Sequence, residues 1–378
     1  MNCADAAMPR RNLLMLVQMP PPVHGVAMAN HRLVNHFAFG KAFAVRTLAL
    51  NPPAAIGAVG QLDIHKASHN VRVLARLLPA LRWADAAYLT PGTQGLAIWR
   101  DTLLTRLCRI TGTPYVLHFH CSQVGEDDRG RRLSSRAGAA IRDSLAGAAG
   151  HLLLGSSLRS GFDGFMPGEA PCVSVSNGVP LPARATPAPS GPLRLGFLGN
   201  LVHYKGVTHA IEIAAALPHV ALDVVGDFFT NAYRQRVLDL VAALGVADRV
   251  HFHGGLPCDT AWDRLAGCHA ILSPSDWREG LSLVWLEALA RGIPVVSSAV
   301  GMADEVFSPI DPRLVQPVGN HSAFVEAIRT LTADTKDYVA LRQRCRSRAL
   351  DCYGTDVWVA RVIKGLNHLL PGLHSRHD

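Results

Sequence analysis

No apolar run in this chain approaches the ~20 residues that a helix needs to cross a bilayer. The longest runs, such as 13–17 and 151–154, are strand-length. Arg10 and Arg11 precede the first of them in the manner of a signal peptide. That run stops at Gln18 and Pro20-Pro-Pro22 with no small-residue cleavage pattern, so it reads as a first strand. The eight cysteines lie at 3, 108, 121, 172, 258, 268, 345 and 352, without a CxxC pair. They do not form the pattern of a disulfide framework, and they suit a reducing cytoplasm. There is no GxGxxG, so a dinucleotide site is unsupported. Aromatics make up only 6% of the residues, and the first half lacks the aromatic interleaving of single-strand nucleic-acid binders. What the chain has is apolar content, 49% of 378 residues. That is enough for a large core spread over two or three domains and argues against disorder.

Charge is uneven. Residues 1–180 hold 18 Lys and Arg against 10 Asp and Glu, a surplus of eight, whereas residues 181–378 hold 19 of each. Arg129, Arg131, Arg132, Arg136 and Arg142 cluster on an expected helix over 131–147. Such a patch attracts phosphate-rich partners, an anionic lipid surface among them; the plain alternative is a solvated helix face.

Strand and helix patterns alternate along the chain. Strands are expected at 12–18, 44–50, 86–90, 114–120, 151–155 and 172–176, with helices near 27–38, 69–82, 96–110 and 131–147. These strands are apolar on successive positions, which marks a parallel sheet covered on both faces. Four prolines in 182–192 make a semi-stiff linker. The alternation then restarts, with strands at 193–199, 221–226, 249–253, 270–274 and 294–298. Helices are expected at 207–217, 231–244, 260–267 and 281–291, with further helical stretches from 321 onward. The expectation is α/β: two doubly wound domains, 1–181 and 193–354, facing across a cleft, with a last helix in 355–378 crossing back to the first.

The most informative stretch is Glu279-Gly-Leu-Ser-Leu-Val-Trp-Leu-Glu287. Two acids stand eight positions apart around helix formers. A helix from 281, rising about 1.5 Å per residue, would set them roughly 12 Å apart. That span suits an elongated ligand with hydroxyls at both ends and phosphates between, as in a nucleoside diphosphate sugar. Unpaired N–H groups at the helix start, from Leu281, Ser282 and Leu283, would meet the phosphates, and Gly280 permits close approach.

Together with this stretch, Phe197-Leu-Gly-Asn-Leu-Val-His-Tyr-Lys-Gly206, Gly301-Met-Ala-Asp-Glu-Val306 and Ser176-Asn-Gly-Val179 resemble the motifs of the family-4 retaining glycosyltransferases of bacterial polysaccharide and glycolipid synthesis. The resemblance covers most of the chain and is strongest in the second half. It implies the GT-B fold and transfer of a sugar from a nucleotide donor, UDP- or GDP-linked, to a glycan or lipid-linked hydroxyl. Anomeric configuration would be retained, with no metal and no cofactor. It assigns Lys205 to the diphosphate, Glu287 to the ribose hydroxyls and Glu279 to the sugar or the reacting centre. Gly280, Leu281 and Ser282 would present backbone N–H groups. Asn200 and Gly226 count among the donor-binding positions. Asn200 stands where the family commonly has Arg; Arg278 is a candidate replacement. His120 resembles the family's sugar-contacting histidine, although His118 alternates with it on the same strand face and the residues alone leave the choice open. A metal set of His118, His120 and Cys121 lacks a fourth ligand. Pro22-Val-His-Gly-Val-Ala27 is similar to the family's first glycine-rich loop, with Gly25 against donor or acceptor. The expected location is the cytoplasm, peripherally at the inner face of the plasma membrane, with no nucleic-acid partner. The rival readings are a GT-B nucleotide-sugar epimerase and a non-catalytic basic nucleic-acid- or membrane-binding protein.

Overall fold

In a computed structural model, the described residues are 10–21, 24–51, 64–126, 130–276 and 279–371. The chain forms two compact units, Met1–Asn177 with Asp356–Asp378, and Gly178–Thr355.

The first unit is built from β1 (Arg11–Val17), α1 (Gly25–Val34), α2 (Phe37–Ala42), β2 (Phe43–Ala49), α3 (Ile64–Trp83), β3 (Ala86–Leu89), α4 (Leu96–Ile110), β4 (Tyr115–Phe119), α5 (Ser135–Ala146), β5 (Gly150–Leu153) and β6 (Cys172–Ser174). The strands form one sheet in the order β2-β1-β3-β4-β5-β6, and every pairing is parallel. Strand alternation splits β1 between two cores. Leu14 and Leu16 join Leu117, Leu153 and the helical residues Leu81, Leu104 and Ile141. Leu13, Met15 and Val17 join Tyr88, Val116, Leu152 and Leu33 on the other face. Both faces are dry, which is why the strands lack polar alternation.

The second unit holds β7 (Arg194–Leu198), α6 (Val207–Ala215), β8 (Ala221–Val225), α7 (Asn231–Ala243), β9 (Val250–Phe252), α8 (Cys258–Leu265), β10 (Ala270–Ser273), α9 (Leu283–Ala290), β11 (Val295–Ser298), α10 (Ala303–Phe307), β12 (Val315–Gln316), α11 (His321–Thr332) and α12 (Thr335–Cys352). Its sheet runs β12-β11-β10-β7-β8-β9, again all parallel. The last helix, α13 (Thr355–Leu369), belongs to the first unit from Asp356 onward. Its Trp358, Val359, Val362, Leu366 and Leu369 complete the core that Leu13 and Met15 face.

Some expectations shift. The helix near 27–38 is two helices, because His36 caps α2 through Nδ1, which accepts from the Ala38 N–H at 3.3 Å. The short α10 and β12 carry too little periodicity to show in sequence. Within the proline-rich stretch 182–192, Thr186 and Pro187 are held by hydrogen bonds. Arg342 donates to the Thr186 and Pro187 carbonyls at 2.6 and 3.2 Å, and the Thr186 N–H donates to Arg291 O at 2.9 Å. In the basic cluster, Arg131 and Arg132 precede α5, while Arg136 and Arg142 lie on it. Arg129 lies outside the described residues. No described helix is long and apolar enough to cross a membrane.

Candidate functional site

In an open parallel sheet, ligands sit beyond the carboxyl ends of the strands, where the strand order changes direction. In the second unit that point lies between β7 and β10. Two loops rise there, 199–206 after β7 and 274–282 after β10, and each feeds a helix.

The first loop carries Gly199 and the exposed Asn200, then a 3-10 turn, His203–Lys205, that ends on Gly206 at φ 78°. The second carries Ser275 and Glu279. The Lys205 ammonium forms an ion pair with Glu279 Oε1, and Ser275 Oγ donates to the same oxygen at 3.3 Å. The pair is 30% and 14% exposed, so a ligand can reach it. Helix α6 starts directly after Gly206, and α9 starts after Ser282; neither has a side-chain cap on its first turn. Two helix amino ends whose N-cap residues make no side-chain capping bond therefore rise from the two loops that carry an ammonium and a carboxylate. Helix ends and a lysine hold a diphosphate, and a carboxylate accepts from hydroxyls.

Helix α9 begins at Leu283, two residues later than the sequence suggests. Leu281 is buried and anchors the loop, and Ser282 keeps an extended backbone at φ −69°, ψ 128°. The first-turn N–H groups of α9 are thus those of Leu283, Val284 and Trp285, while Leu281 and Ser282 belong to the loop before it. Glu279 lies outside the helix, so the 12 Å helical span between the two acids does not apply. The Gly280 carbonyl accepts from Met302 N–H at 3.1 Å.

Glycine makes this corner possible. A Cβ on Gly226 would lie 1.8 Å from Gly199 O, so the loops after β7 and β8 touch there. Gly301 has φ 53°, and its Cβ would lie 1.5 Å from Glu279 O. Gly301→Ala should therefore cost about 2–5 kcal/mol, from left-handed strain of about 1–2 and overpacking of about 1–3. Thermal unfolding checks this, and an unchanged midpoint would refute the close contact.

Glu287 is buried at 8% exposure. Its Oε2 accepts from the Trp262 indole N–H at 3.0 Å, and Cys258 Sγ lies at 3.7 Å. Arg278 lies outside the described residues, as do Pro22 and Val23 of the first loop. Ser275 is the site residue that the sequence reading missed. Its hydroxyl four positions before Glu279 was the available signal.

The remaining candidates belong to the first unit. Gly25 opens α1, and His24 Nδ1 caps it by accepting from the Ala27 N–H at 3.4 Å. His118 is fully buried, with Nδ1 2.5 Å from the Tyr88 hydroxyl. His120 follows β4 at its carboxyl end, its ring centroid 4.3 Å from that of His118. Both His120 ring nitrogens and Asn177 Oδ1 are buried and, among the described residues, form no hydrogen bond of good geometry, although the Asn177 side chain lies close enough to His120 to favour its proton. Polar atoms left open in this way are rare in a core and mark places where a ligand can bind.

Burial lowers His120 to about 4; Asn177 opposes this, and His24 adds to it. Burial also lowers His151 to about 4 and His118 well below 6.5. All three are neutral near pH 7. Between about pH 6.5 and 4 the unfolded chain binds more protons than the folded one. Their stabilisation is therefore complete above pH ~6.5 and lost as pH falls to ~4, at about 3 kcal/mol each for His120 and His151. Denaturant unfolding of the first unit across this range should show the loss; a flat profile would contradict the burial.

Residues 183–349 match the family model described as "Glycosyl transferases group 1". The 2-deoxystreptamine N-acetyl-D-glucosaminyltransferase of Streptomyces fradiae is 28% identical over 282 residues, 69% of this chain and 65% of the relative. The MMP alpha-(1->4)-mannosyltransferase of Mycolicibacterium hassiacum is 36% identical over 167 residues, 43% of this chain and 39% of the relative. The crystal structure of Anabaena Alr3699/HepE in complex with UDP and glucose shares the fold, with a TM-score of 0.72 at 18% identity over 95% of this chain and 100% of that one. Sucrose-phosphate synthase from Thermosynechococcus elongatus gives 0.75 at 16% identity over 95% and 99%. The architecture is that of the GT-B fold.

Proposed function

We propose that this chain, a member of the glycosyl transferases group 1 family, moves a hexosyl group from a UDP- or GDP-linked donor to a hydroxyl of a glycan or lipid-linked acceptor, with retention of anomeric configuration. The observation that carries this reading is the Lys205–Glu279 ion pair between the two uncapped helix starts. The relatives named above are sugar transferases, and UDP is bound in a solved neighbour of the same fold.

In this reading the donor diphosphate takes over Lys205 and the N–H groups of α6 and α9. Glu279, released from its lysine, accepts hydroxyls of the donor sugar. Glu287 accepts from the ribose hydroxyls beside the bonds it already takes from Trp262 and Cys258. His120, neutral, contacts the sugar. The acceptor oxygen bonds to the anomeric carbon as the bond to the leaving diphosphate breaks on the same face. A donor phosphate oxygen takes the acceptor proton, so no carboxylate nucleophile is needed. Lys205 and the helix ends stabilise the charge building on the diphosphate, and no metal enters the step.

The test is a panel of nucleotide sugars with and without glycan or lipid-linked acceptors, with product configuration read by NMR. A true donor at ~100 times its dissociation constant should also add about 2.7 kcal/mol of stability. Glu287→Ala should lose that gain. Donor consumption that never depends on an acceptor would favour an epimerase and end this reading.

We place the enzyme in the cytoplasm, peripherally at the inner membrane face, on the basic surplus of residues 1–180. It should co-sediment with anionic vesicles and be released as ionic strength rises above ~0.1 M. Absent or salt-insensitive sedimentation would remove the membrane part.

A further inference from the structure

We infer that His209, Glu212 and His321 form a binding site for a transition-metal ion of the Zn2+ class. The site stands on its own geometry and not on the proposed transfer. His209 and Glu212 are one turn apart on α6, on the same face. His321 is the first residue of α11, whose start is fixed by Asn320 Oδ1 accepting from the Ala323 N–H at 3.1 Å.

Three potential ligand atoms converge. His209 Nδ1 lies 2.7 Å from His321 Nε2, and Glu212 Oε2 lies 3.4 Å from each of these nitrogens. A tetrahedral Zn2+ with bonds of about 2.0–2.1 Å spaces its ligand atoms about 3.3–3.4 Å apart. Two edges of the triangle have that length, and the third needs the imidazoles to part by about 0.6 Å. The side chains are 22%, 35% and 32% exposed, so an ion can enter from solvent and water can complete its shell.

A second observation points the same way. His209 Nε2 lies 2.8 Å from Asp276 Oδ2. An ionised carboxylate only accepts, so the Nε2 proton is donated to Asp276 and the lone pair of Nδ1 faces the triangle. This carboxylate–histidine arrangement is the one that orients metal-bound imidazoles. Two imidazoles and one carboxylate suit Zn2+, Co2+ or Ni2+ rather than Mg2+ or Ca2+. A bound ion would tie α6 to α11 and, through Asp276, to the loop that carries Glu279.

The test is titration of the chelator-treated full chain with Co2+, read by ligand-field absorption. One equivalent should saturate a four-coordinate spectrum, and Zn2+ should displace it. His209→Ala and His321→Ala should abolish the spectrum, and Asp276→Asn should weaken binding about 10–100-fold. Unfolding in chelator serves as the folding control. If His209→Ala does not fold, the partly exposed His321→Ala and Glu212→Gln carry the same reading. No saturable spectrum, or one that persists in His321→Ala, would overturn the site and leave an ordinary imidazole–imidazole hydrogen bond.

Discussion

A chain ended after Gly354 should fail to fold its first unit. Helix α13 covers one sheet face together with α1 and α2. Trp358, Val359, Val362 and Leu366 are at most 1% exposed, and Leu369 and Leu370 are 4% and 3% exposed. At about 1.5–3 kcal/mol per large side chain, these six remove roughly 9–18 kcal/mol of apolar stabilisation, an upper bound. A whole domain is stable by only about 5–15 kcal/mol. The truncation also uncovers Leu13, Met15, Val116 and Leu152. It deletes the Arg11 bond to Leu370 O at 2.9 Å and the His36–Asp356 contact at 2.9 Å. Loss of cooperative unfolding together with binding of an apolar dye is the expected result. The milder Trp358→Ala should cost about 3–5 kcal/mol. A truncated chain that unfolds cooperatively at the full-length midpoint would show that α13 is dispensable.

Lys205→Ala should lower kcat by about 10²–10³, the scale for losing one group that stabilises charge in the transition state. The rate should fall more than donor affinity, because the charge on the leaving diphosphate is largest as the bond breaks. The variant also strands Glu279 in a half-buried loop, so a stability loss could mimic a catalytic one. Denaturant unfolding of Lys205→Ala separates the two. If the lysine serves catalysis, the variant stays slow under conditions in which its unfolding curve shows it fully folded. Normal turnover in Lys205→Ala would remove the assignment.

The sequence determined what depends on near neighbours. Continuous apolar strands such as Leu13-Leu-Met-Leu-Val17 require a sheet buried on both faces, and alternation with helices requires that sheet to be parallel. The stretch from Glu279 to Glu287 likewise carries its chemistry in the residue types themselves. What the sequence left open depends on distant partners. Helix α9 starts at Leu283 because Leu281 is drawn into the core and Ser282 stays extended, a packing result that helix propensity cannot supply. Lys205 and Glu279 meet across 74 positions because β7 and β10 are neighbours in the sheet. His209 and His321 meet across 112 positions because α6 and α11 pack together. Local pattern fixes the type of each element, whereas only the packed core decides which loops share a corner.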